Sequence, residues 1–333
     1  MQLKPLHDQV VVVTGASSGI GLAIAEAASA KGARLVLVAR NGDALDDIAA
    51  RLNGQGGQVV TCVADIADAD AAERIATTAI ASSGRVDSWV NNAAAATYGT
   101  LAETPEADHR RVFDVGYFGT VRNSLKAVEL LRAHGGTLIN IGSVLGERSM
   151  LLQGPYSAMK HAVGGFTEAL RTEVAEAGWP IAVTLIKPGG MATPYPEHAR
   201  NRLGHPVRIP PVVYDPRLVA RAVLFCLEHP RRAITVGGVG YAIEVFGNAF
   251  PRLTDLGIVA FGRVSQSIDQ PPPPDAVDNL DEPRADGRIE TVQDIYVRRT
   301  SLWLEAQLAP WRLAGILGAG ALAAGLLAST RRR

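Results

Sequence analysis

Residues 10–21 read VVVVTGASSGIG, a run of β-branched side chains that passes straight into a glycine-rich turn and then a helical pattern. The valine run predicts a buried strand, because continuous apolar runs are typical of strands covered on both faces. Gly15, Gly19 and Gly21 permit a tight turn and a close approach of backbone to a ligand. A helix that begins at this turn offers free N–H groups and the positive end of its dipole to phosphate. The stretch therefore predicts a dinucleotide site. The alternative is that the glycines only permit a turn and bind no ligand.

Six further β-branched runs follow the first strand and alternate with helical patterns. We place these strands at 35–39, 59–63, 86–90, 137–141, 181–186 and 234–236. Alternation of this kind is typical of a parallel sheet with crossover helices. The sequence therefore predicts an α/β fold of the Rossmann type, a doubly wound parallel sheet of about seven strands with a helical C-terminal extension.

Composition and charge exclude several classes of protein. The 333 residues include 33 basic and 33 acidic side chains, so the formal net charge is zero and no nucleic-acid partner is expected. Cys62 and Cys226 are the two cysteines, too few for a disulfide scaffold or a cysteine-rich metal site, and we predict no metal. The N-terminus lacks a signal-peptide pattern. We expect a reduced, cytoplasmic protein.

The pattern changes after residue 240. We divide the chain into a nucleotide-binding catalytic domain at 1–240, a helical extension at 241–265, a proline-rich linker at 266–290 and a C-terminal helix with an apolar tail at 291–333. Four consecutive prolines, 271–274, favour an extended linker.

The apolar tail has two interpretations. Leu313–Ala328 carries no charge and is followed by three terminal arginines. It is either a membrane anchor or interfacial helix, or a soluble helix for docking or oligomer contact.

The second predicted strand ends at Arg40, where an acidic residue would hold the ribose 2′-hydroxyl of NAD. A planar guanidinium suits a 2′-phosphate instead. This favours NADP(H), with NAD(H) as the second choice and with Ser17 or Ser18 assisting. A solvated surface arginine is the alternative interpretation of Arg40.

Tyr156 and Lys160 are four residues apart, which places them on one face of a helix. A nearby cation lowers the pKa of a phenol, so Tyr156 is a candidate general acid and base. Ser143 follows the predicted strand 137–141, at the edge of the sheet where ligands bind in folds of this class. Its hydroxyl is a candidate to hold a carbonyl oxygen, although an isolated serine is more often a loop hydrogen-bonding group.

These features together resemble the short-chain dehydrogenase/reductase family over residues 8–240. The matching motifs, in order, are Thr14–Gly21, Asp65, Asn91-Asn92-Ala93-Ala94, Ser143, Tyr156–Lys160 and Pro188-Gly189 through Thr193. The resemblance implies that a hydride passes between NAD(P)H and a carbonyl or alcohol. It implies that Tyr156 moves the proton, that Lys160 binds the nicotinamide ribose and lowers the phenol pKa, and that Ser143 orients the substrate. It also implies cofactor contacts from Gly15, Ser17, Ser18, Gly19, Ile20, Gly21, Arg40, Asp65, Ile66, Asn92, Tyr156, Lys160, Pro188, Gly189 and Thr193.

The substrate is less well defined by the sequence. Apolar residues near the motifs hint at an apolar or lipid-like small molecule: Leu145, Met150, Leu151, Leu152 and Met191. The proline-rich stretch 189–215 is a candidate lid. The family resemblance implies a homo-oligomer. The alternative function is a non-catalytic nucleotide-binding sensor or scaffold that retains the fold.

Two positions depart from the family pattern. Ala94 replaces a glycine, which is tolerable only where φ is negative. Gly116 stands where the family commonly has an asparagine that completes a proton relay. It cannot serve that relay itself, although it leaves room for a water that could.

Overall fold

The computed structural model describes residues 2–268, 270–271, 277–284 and 287–309. Its central sheet has seven strands: β1 Val10–Thr14, β2 Arg34–Ala39, β3 Gln58–Val63, β4 Ser88–Asn91, β5 Gly136–Ile141, β6 Ile181–Pro188 and β7 Ala233–Val236. The spatial order is β7-β6-β5-β4-β1-β2-β3, and all neighbours run parallel. The predicted doubly wound sheet is therefore confirmed.

The order of the strands reverses between β1 and β4. The chain moves from β1 outward to β3 and then returns to place β4 on the other side of β1. In open α/β sheets, ligands bind at the carboxyl ends of the strands beside such a switch point. The Thr14 hydroxyl joins the two strand ends, because it accepts hydrogen bonds from the N–H groups of Asn92 (3.0 Å) and Ala93 (3.2 Å).

Helices cover both faces of the sheet. They are α1 Gly19–Ser29, α2 Gly42–Gly54, α3 Ala71–Ser83, α4 Glu106–Phe113, α5 Gly119–Leu131, α6 Gly154–Glu176, α7 Tyr195–His198, α8 Arg217–Glu228, α9 Gly238–Ala249, α10 Pro251–Gln266 and α11 Leu302–Leu308. One apolar layer joins the sheet to α1, α2 and α8, and a second joins it to α3, α5 and α6. A π-helical turn, Asp114–Phe118, connects α4 to α5.

The C-terminal part of the chain packs on this domain. Of the predicted C-terminal helix, the described part is α11, whose Leu304 is buried in the same layer as α8. Residues 277–284 and 287–293 form bends without a helix or strand, and they contact Arg40 after β2 and Gly19 at the start of α1. Leu313–Ala328 lies outside the described residues. Within the described part of the chain, no helix has both the length and the apolar content needed to cross a bilayer.

Candidate active site

The glycine turn after β1 forms one end of a large cavity. Gly15 has a φ of +66°, and a Cβ placed there would lie 2.8 Å from the Ala93 Cα atom. A Cβ on Gly21 would lie 2.0 Å from the Gly15 carbonyl oxygen. Both positions therefore require glycine, and the turn brings the N-terminus of α1 to the cavity. Ser18 precedes α1 without using its hydroxyl as a cap.

The cavity has a volume of about 1000 Å³ and extends from this turn to α6. That size is at the upper end of the range for small-molecule and cofactor sites. The predicted site residues along its wall are Gly15, Ser17, Ser18, Gly19, Ile20, Arg40, Asp65, Ile66, Asn92, Ser143, Tyr156, Lys160, Pro188, Gly189 and Thr193. Gly21 instead packs behind Gly15. A long groove with a helix N-terminus at one end and hydroxyls at the other fits a nicotinamide dinucleotide.

The chemical groups of the motifs meet at the inner end of the cavity. Ser143 follows β5, where its hydroxyl accepts a hydrogen bond of 3.0 Å from the Leu145 N–H and lies close enough to the Tyr156 hydroxyl on α6 to influence the pKa of that phenol. The Lys160 ammonium lies 5.6 Å from the centroid of the Tyr156 ring. Its Nζ atom donates a hydrogen bond of 2.7 Å to the Ile141 carbonyl oxygen. The predicted common face of Tyr156 and Lys160 is therefore present.

Burial controls the protonation of this pair. It raises the pKa of Tyr156 to about 12, although the neighbouring Ser143 hydroxyl acts in the opposite direction. It lowers the pKa of Lys160 to about 8. The expectation that the ammonium lowers the pKa of the phenol does not hold in this structure, because burial dominates at Tyr156 and the ammonium donates to a backbone carbonyl.

Arg40 lies at the other end of the cavity with a side chain only 22% exposed, so it is not a solvated surface arginine. Its Nη1 atom is 3.8 Å from the Asp65 carboxylate. Burial alone would raise the pKa of Asp65, but hydrogen bonds from Arg111 and from the Ala67 N–H bring it below its usual range. The guanidinium of Arg40 also donates to the backbone carbonyls of Asn279 and Asp281.

Sequence reasoning missed part of the site. The Tyr195 ring lies 5.3 Å from that of Tyr156, and its hydroxyl donates to Gln153 at 2.7 Å. Tyr195 falls within the predicted lid, but no motif signals its contact with Tyr156. Apolar side chains of α9 and α10 also line the cavity, among them Ile243, Phe246 and Phe261. Helical periodicity alone does not show that these helices flank the site.

The predicted apolar lining is correct in part. Leu145, Met150 and Met191 line the cavity. Leu151 and Leu152 lie outside its wall. The side chain of Leu151 packs against Gly262 on α10, and Leu152 is buried.

The two departures from the family pattern have structural explanations. Among the described non-glycine residues only Leu152 has a positive φ, so Ala94 adopts the backbone conformation that an alanine tolerates. At Gly116, a Cβ would lie 2.5 Å from the Met159 sulfur. The expectation of room for a water beside Gly116 is therefore wrong, because the thioether of Met159 fills that space.

Among the described residues, no cluster of His, Cys, Asp and Glu is arranged as a metal site.

Comparisons with known proteins agree with this geometry. The family model for short chain dehydrogenase matches residues 9–203. The Bacillus subtilis (strain 168) protein named "Uncharacterized oxidoreductase YxnA" is 41% identical over 277 residues, which are 82% of this chain and 78% of the relative.

Two solved structures share the fold. L-sorbose reductase from Gluconobacter frateurii, complexed with NADPH and L-sorbose, aligns with a TM-score of 0.61 and 27% identity over 68% of this chain and 94% of its own. A short chain dehydrogenase/reductase from Burkholderia phymatum, in complex with NAD, aligns with a TM-score of 0.68 over 75% of this chain and 96% of its own, and at 24% identity it supports the fold alone. The chain therefore belongs to the short-chain dehydrogenase family, whose members are NAD(P)-dependent oxidoreductases that act on CH–OH and C=O groups.

Proposed function

We propose that the protein transfers a hydride between NADP(H) and the carbon of a ketone or secondary alcohol, with Tyr156 moving the proton at the substrate oxygen. The observation that carries this proposal is the Ser143–Tyr156 hydroxyl pair, which lies in the same cavity as the glycine turn. A hydride donor held along the groove would end beside these two hydroxyls. The arrangement is that of a general acid next to an oxygen-binding group.

Each side chain has a distinct task in this proposal. The nicotinamide, when bound, supplies or accepts the hydride. Tyr156 donates its phenolic proton to the carbonyl oxygen during reduction and takes it back during oxidation. Ser143 holds the same oxygen with its hydroxyl. Lys160 would hold the adjacent ribose and would give up its bond to the Ile141 carbonyl to do so.

The preference for NADP(H) over NAD(H) is proposed from Arg40. Arg40 is the charged side chain that follows β2, where the 2′-phosphate of a bound NADP(H) would lie. Ser17 and Ser18 line the same end of the cavity. We expect Arg40→Asp to weaken NADPH binding far more than NADH binding, because the substitution replaces a phosphate partner by a like charge. Fluorescence titration with both nucleotides measures the effect. Equal losses for the two nucleotides would refute the 2′-phosphate role.

An apolar substrate is proposed from the composition of the cavity wall near Tyr156. Met150, Met191, Ile243 and Phe246 line it, and the loop after β6 brings Tyr195 against the catalytic ring. Apolar walls with a few polar groups at one point are typical of sites that orient a hydrophobic molecule by its single oxygen.

A ketone screen separates the enzyme from the alternative, a nucleotide-binding sensor. NADPH binding is first measured by fluorescence, and ketones of increasing chain length are then tested for NADPH oxidation. We expect Tyr156→Phe to retain NADPH binding and to lose at least about 100-fold in kcat, since general acid–base catalysis contributes roughly 10²–10⁴-fold. Tyr117→Phe is the matched control, because the Tyr117 ring lies outside the cavity wall. Binding without any turnover that depends on Tyr156 would favour the sensor.

A further inference from the structure

Residues 277–284 and 287–293, which we call the strap, cross the end of the cavity formed by Arg40 and Asp65. Leu280 anchors the strap: its side chain is 1% exposed and belongs to the same apolar cluster as Ile66 and Val112. Asn279, Pro283 and Arg284 of the strap line the cavity wall. The strap is therefore part of the wall of the site and not a free linker.

Backbone oxygens of the strap accept hydrogen bonds from protein groups that a bound dinucleotide would use. The Arg288 carbonyl accepts a hydrogen bond of 2.9 Å from the Gly19 N–H, the first N–H of α1. The Arg40 guanidinium donates to the carbonyls of Asn279 and of Asp281, the latter at 2.8 Å. Two separate stretches of the strap thus bind the N-terminus of α1, which the sequence predicts as a phosphate site, and Arg40, which the proposed function assigns to the 2′-phosphate.

Arg111, a third hydrogen-bond donor at this end of the cavity, is also bonded to protein groups. Arg111 bonds the Asp65 carboxylate and donates from Nε to the Leu280 carbonyl at 3.0 Å. Asp65 and Ile66 are among the predicted cofactor contacts, and the strap's Leu280 packs in the cluster of Ile66.

We propose that the strap competes with the cofactor inside this chain: its carbonyls occupy the donors of Gly19 and Arg40 in the free protein and leave them when the dinucleotide binds. This inference rests on the proposed function. A phosphate oxygen carries charge and makes stronger hydrogen bonds to a guanidinium than a neutral carbonyl does, so the exchange favours the cofactor once it is present. The affinity observed is then lowered by the fraction of molecules in which the strap is closed.

Further contacts with the domain hold the strap closed. Arg200 forms ion pairs with Asp278 (3.0 Å) and Asp281 (2.8 Å), and the Asn279 N–H donates to the His198 carbonyl at 2.8 Å. Weakening the strap at its Leu280 anchor should therefore tighten cofactor binding. The gain should be larger for NADPH than for NADH, because the contact with Arg40 opposes only the 2′-phosphate.

Leu280→Ala in the full-length protein tests the competition. We expect NADPH to bind at least about fivefold more tightly to this variant, with a smaller gain for NADH, since coupling between sites is typically 5–150-fold. Val277→Ala, at a position 60% exposed on the same segment, is the matched control and should bind as the wild type does. Weaker or unchanged NADPH binding in Leu280→Ala would show that the strap is a supporting wall or has no role.

Hydrogen exchange gives a second test, which uses the wild-type protein and therefore does not depend on whether a variant folds. The amides of Asn279 and Leu280 are bonded to the His198 carbonyl and the Asp278 carboxylate. We expect saturating NADPH to accelerate exchange in a peptide covering 277–284. Slower or unchanged exchange with NADPH bound would overturn the inference and leave the proposed function intact. If no saturable NADPH binding and no ketone reduction are found, the proposed function itself fails.

Discussion

At the scale of single residues, Gly116 and Met159 depend on each other. Gly116 lies in the π-helical turn Asp114–Phe118, and the Met159 side chain fills the volume where a Cβ at Gly116 would lie. Met159 is fully buried and directly precedes Lys160 on α6. The glycine thus sets how closely the central helix approaches the catalytic helix, and it leaves no side chain there for a proton relay.

Gly116→Ala is expected to destabilise the protein by about 1–3 kcal/mol, because overpacking a filled core forces side chains or backbone to shift. Urea denaturation measures the change. Gly164→Ala on α6 is the control, since a Cβ there meets nothing within 4 Å and should instead stabilise the helix by about 0.5–1 kcal/mol. Adding Met159→Ala to Gly116→Ala should relieve the clash. A Gly116→Ala variant as stable as the wild type would contradict this packing.

The raised pKa of Tyr156 predicts opposite pH dependences for the two directions of reaction. Because burial raises this pKa to about 12, the phenol is protonated at neutral pH and can donate a proton in ketone reduction. Alcohol oxidation needs the tyrosinate, whose fraction grows about tenfold per pH unit below the pKa. Between about pH 6 and 7, where Lys160 with its pKa of about 8 stays protonated, rates with saturating cofactor should therefore be flat for reduction and should rise for oxidation. An oxidation rate independent of pH would refute this protonation state.

Residues within one short motif could be placed from the sequence, and residues joined by long-range packing could not. The turn at Gly15–Gly21 and the pair Tyr156 and Lys160 are local patterns, so their geometry follows from strand and helix periodicity. Arg40 was assigned to the cavity from its place after β2, but its strap partners lie about 240 residues away along the chain. No local pattern encodes that contact.

At the scale of elements, the strands were predictable because each contains a run of mainly apolar and β-branched residues. The C-terminal part was not predictable in this way. The predicted helix from 291 onward is described as α11 only, Leu302–Leu308, and its N-terminus is capped by Ser301, which accepts a hydrogen bond from the Leu304 N–H. Val297–Arg298 pairs instead with Val213–Tyr214 as a short parallel bridge. This pairing prevents residues 297 and 298 from joining the helix, and nothing in the local sequence specifies it.

Helix α11 should contribute to the stability of the domain. Leu304 is fully buried, whereas Leu302 on the same helix is 80% exposed. We expect Leu304→Ala to lower the free energy of unfolding by about 2–5 kcal/mol through loss of a buried side chain. Leu302→Ala, the matched control, should change it by less than about 0.5 kcal/mol. Equal effects of the two substitutions in chemical denaturation would show that α11 does not pack as described.

At the scale of the whole molecule, one doubly wound sheet carries the glycine turn, the hydroxyl pair and the strap along the same carboxyl edge. The formal net charge is zero, so the chain as a whole carries no excess of positive charge. The doubly wound parallel sheet could be anticipated from the alternation of strands and helices, although the spatial order of its strands was not predicted. The contact of the strap with the site could not be anticipated, because it depends on the path that the backbone takes through α9 and α10.

The apolar run Leu313–Ala328 gives a prediction for the full chain. If this run anchors the protein, deleting residues 311–333 should move it from the membrane fraction to the soluble fraction, because the run carries the uncharged surface that a bilayer would bury. Cell fractionation followed by immunoblotting compares the two forms. The same distribution for both would eliminate the anchor and favour a docking or oligomer contact.

The most direct measurement follows the hydride itself. The protein is loaded with NADPH that carries deuterium at both C4 positions of the nicotinamide, so that either face delivers the label. It is mixed in a single turnover with a ketone found by the screen, and the product alcohol is analysed by mass spectrometry. We predict that deuterium appears on the carbinol carbon of the wild-type product and that Tyr156→Phe forms this product at least about 100-fold more slowly. A product without deuterium, or an undiminished rate in Tyr156→Phe, would contradict the assignment of this cavity as the site of hydride transfer.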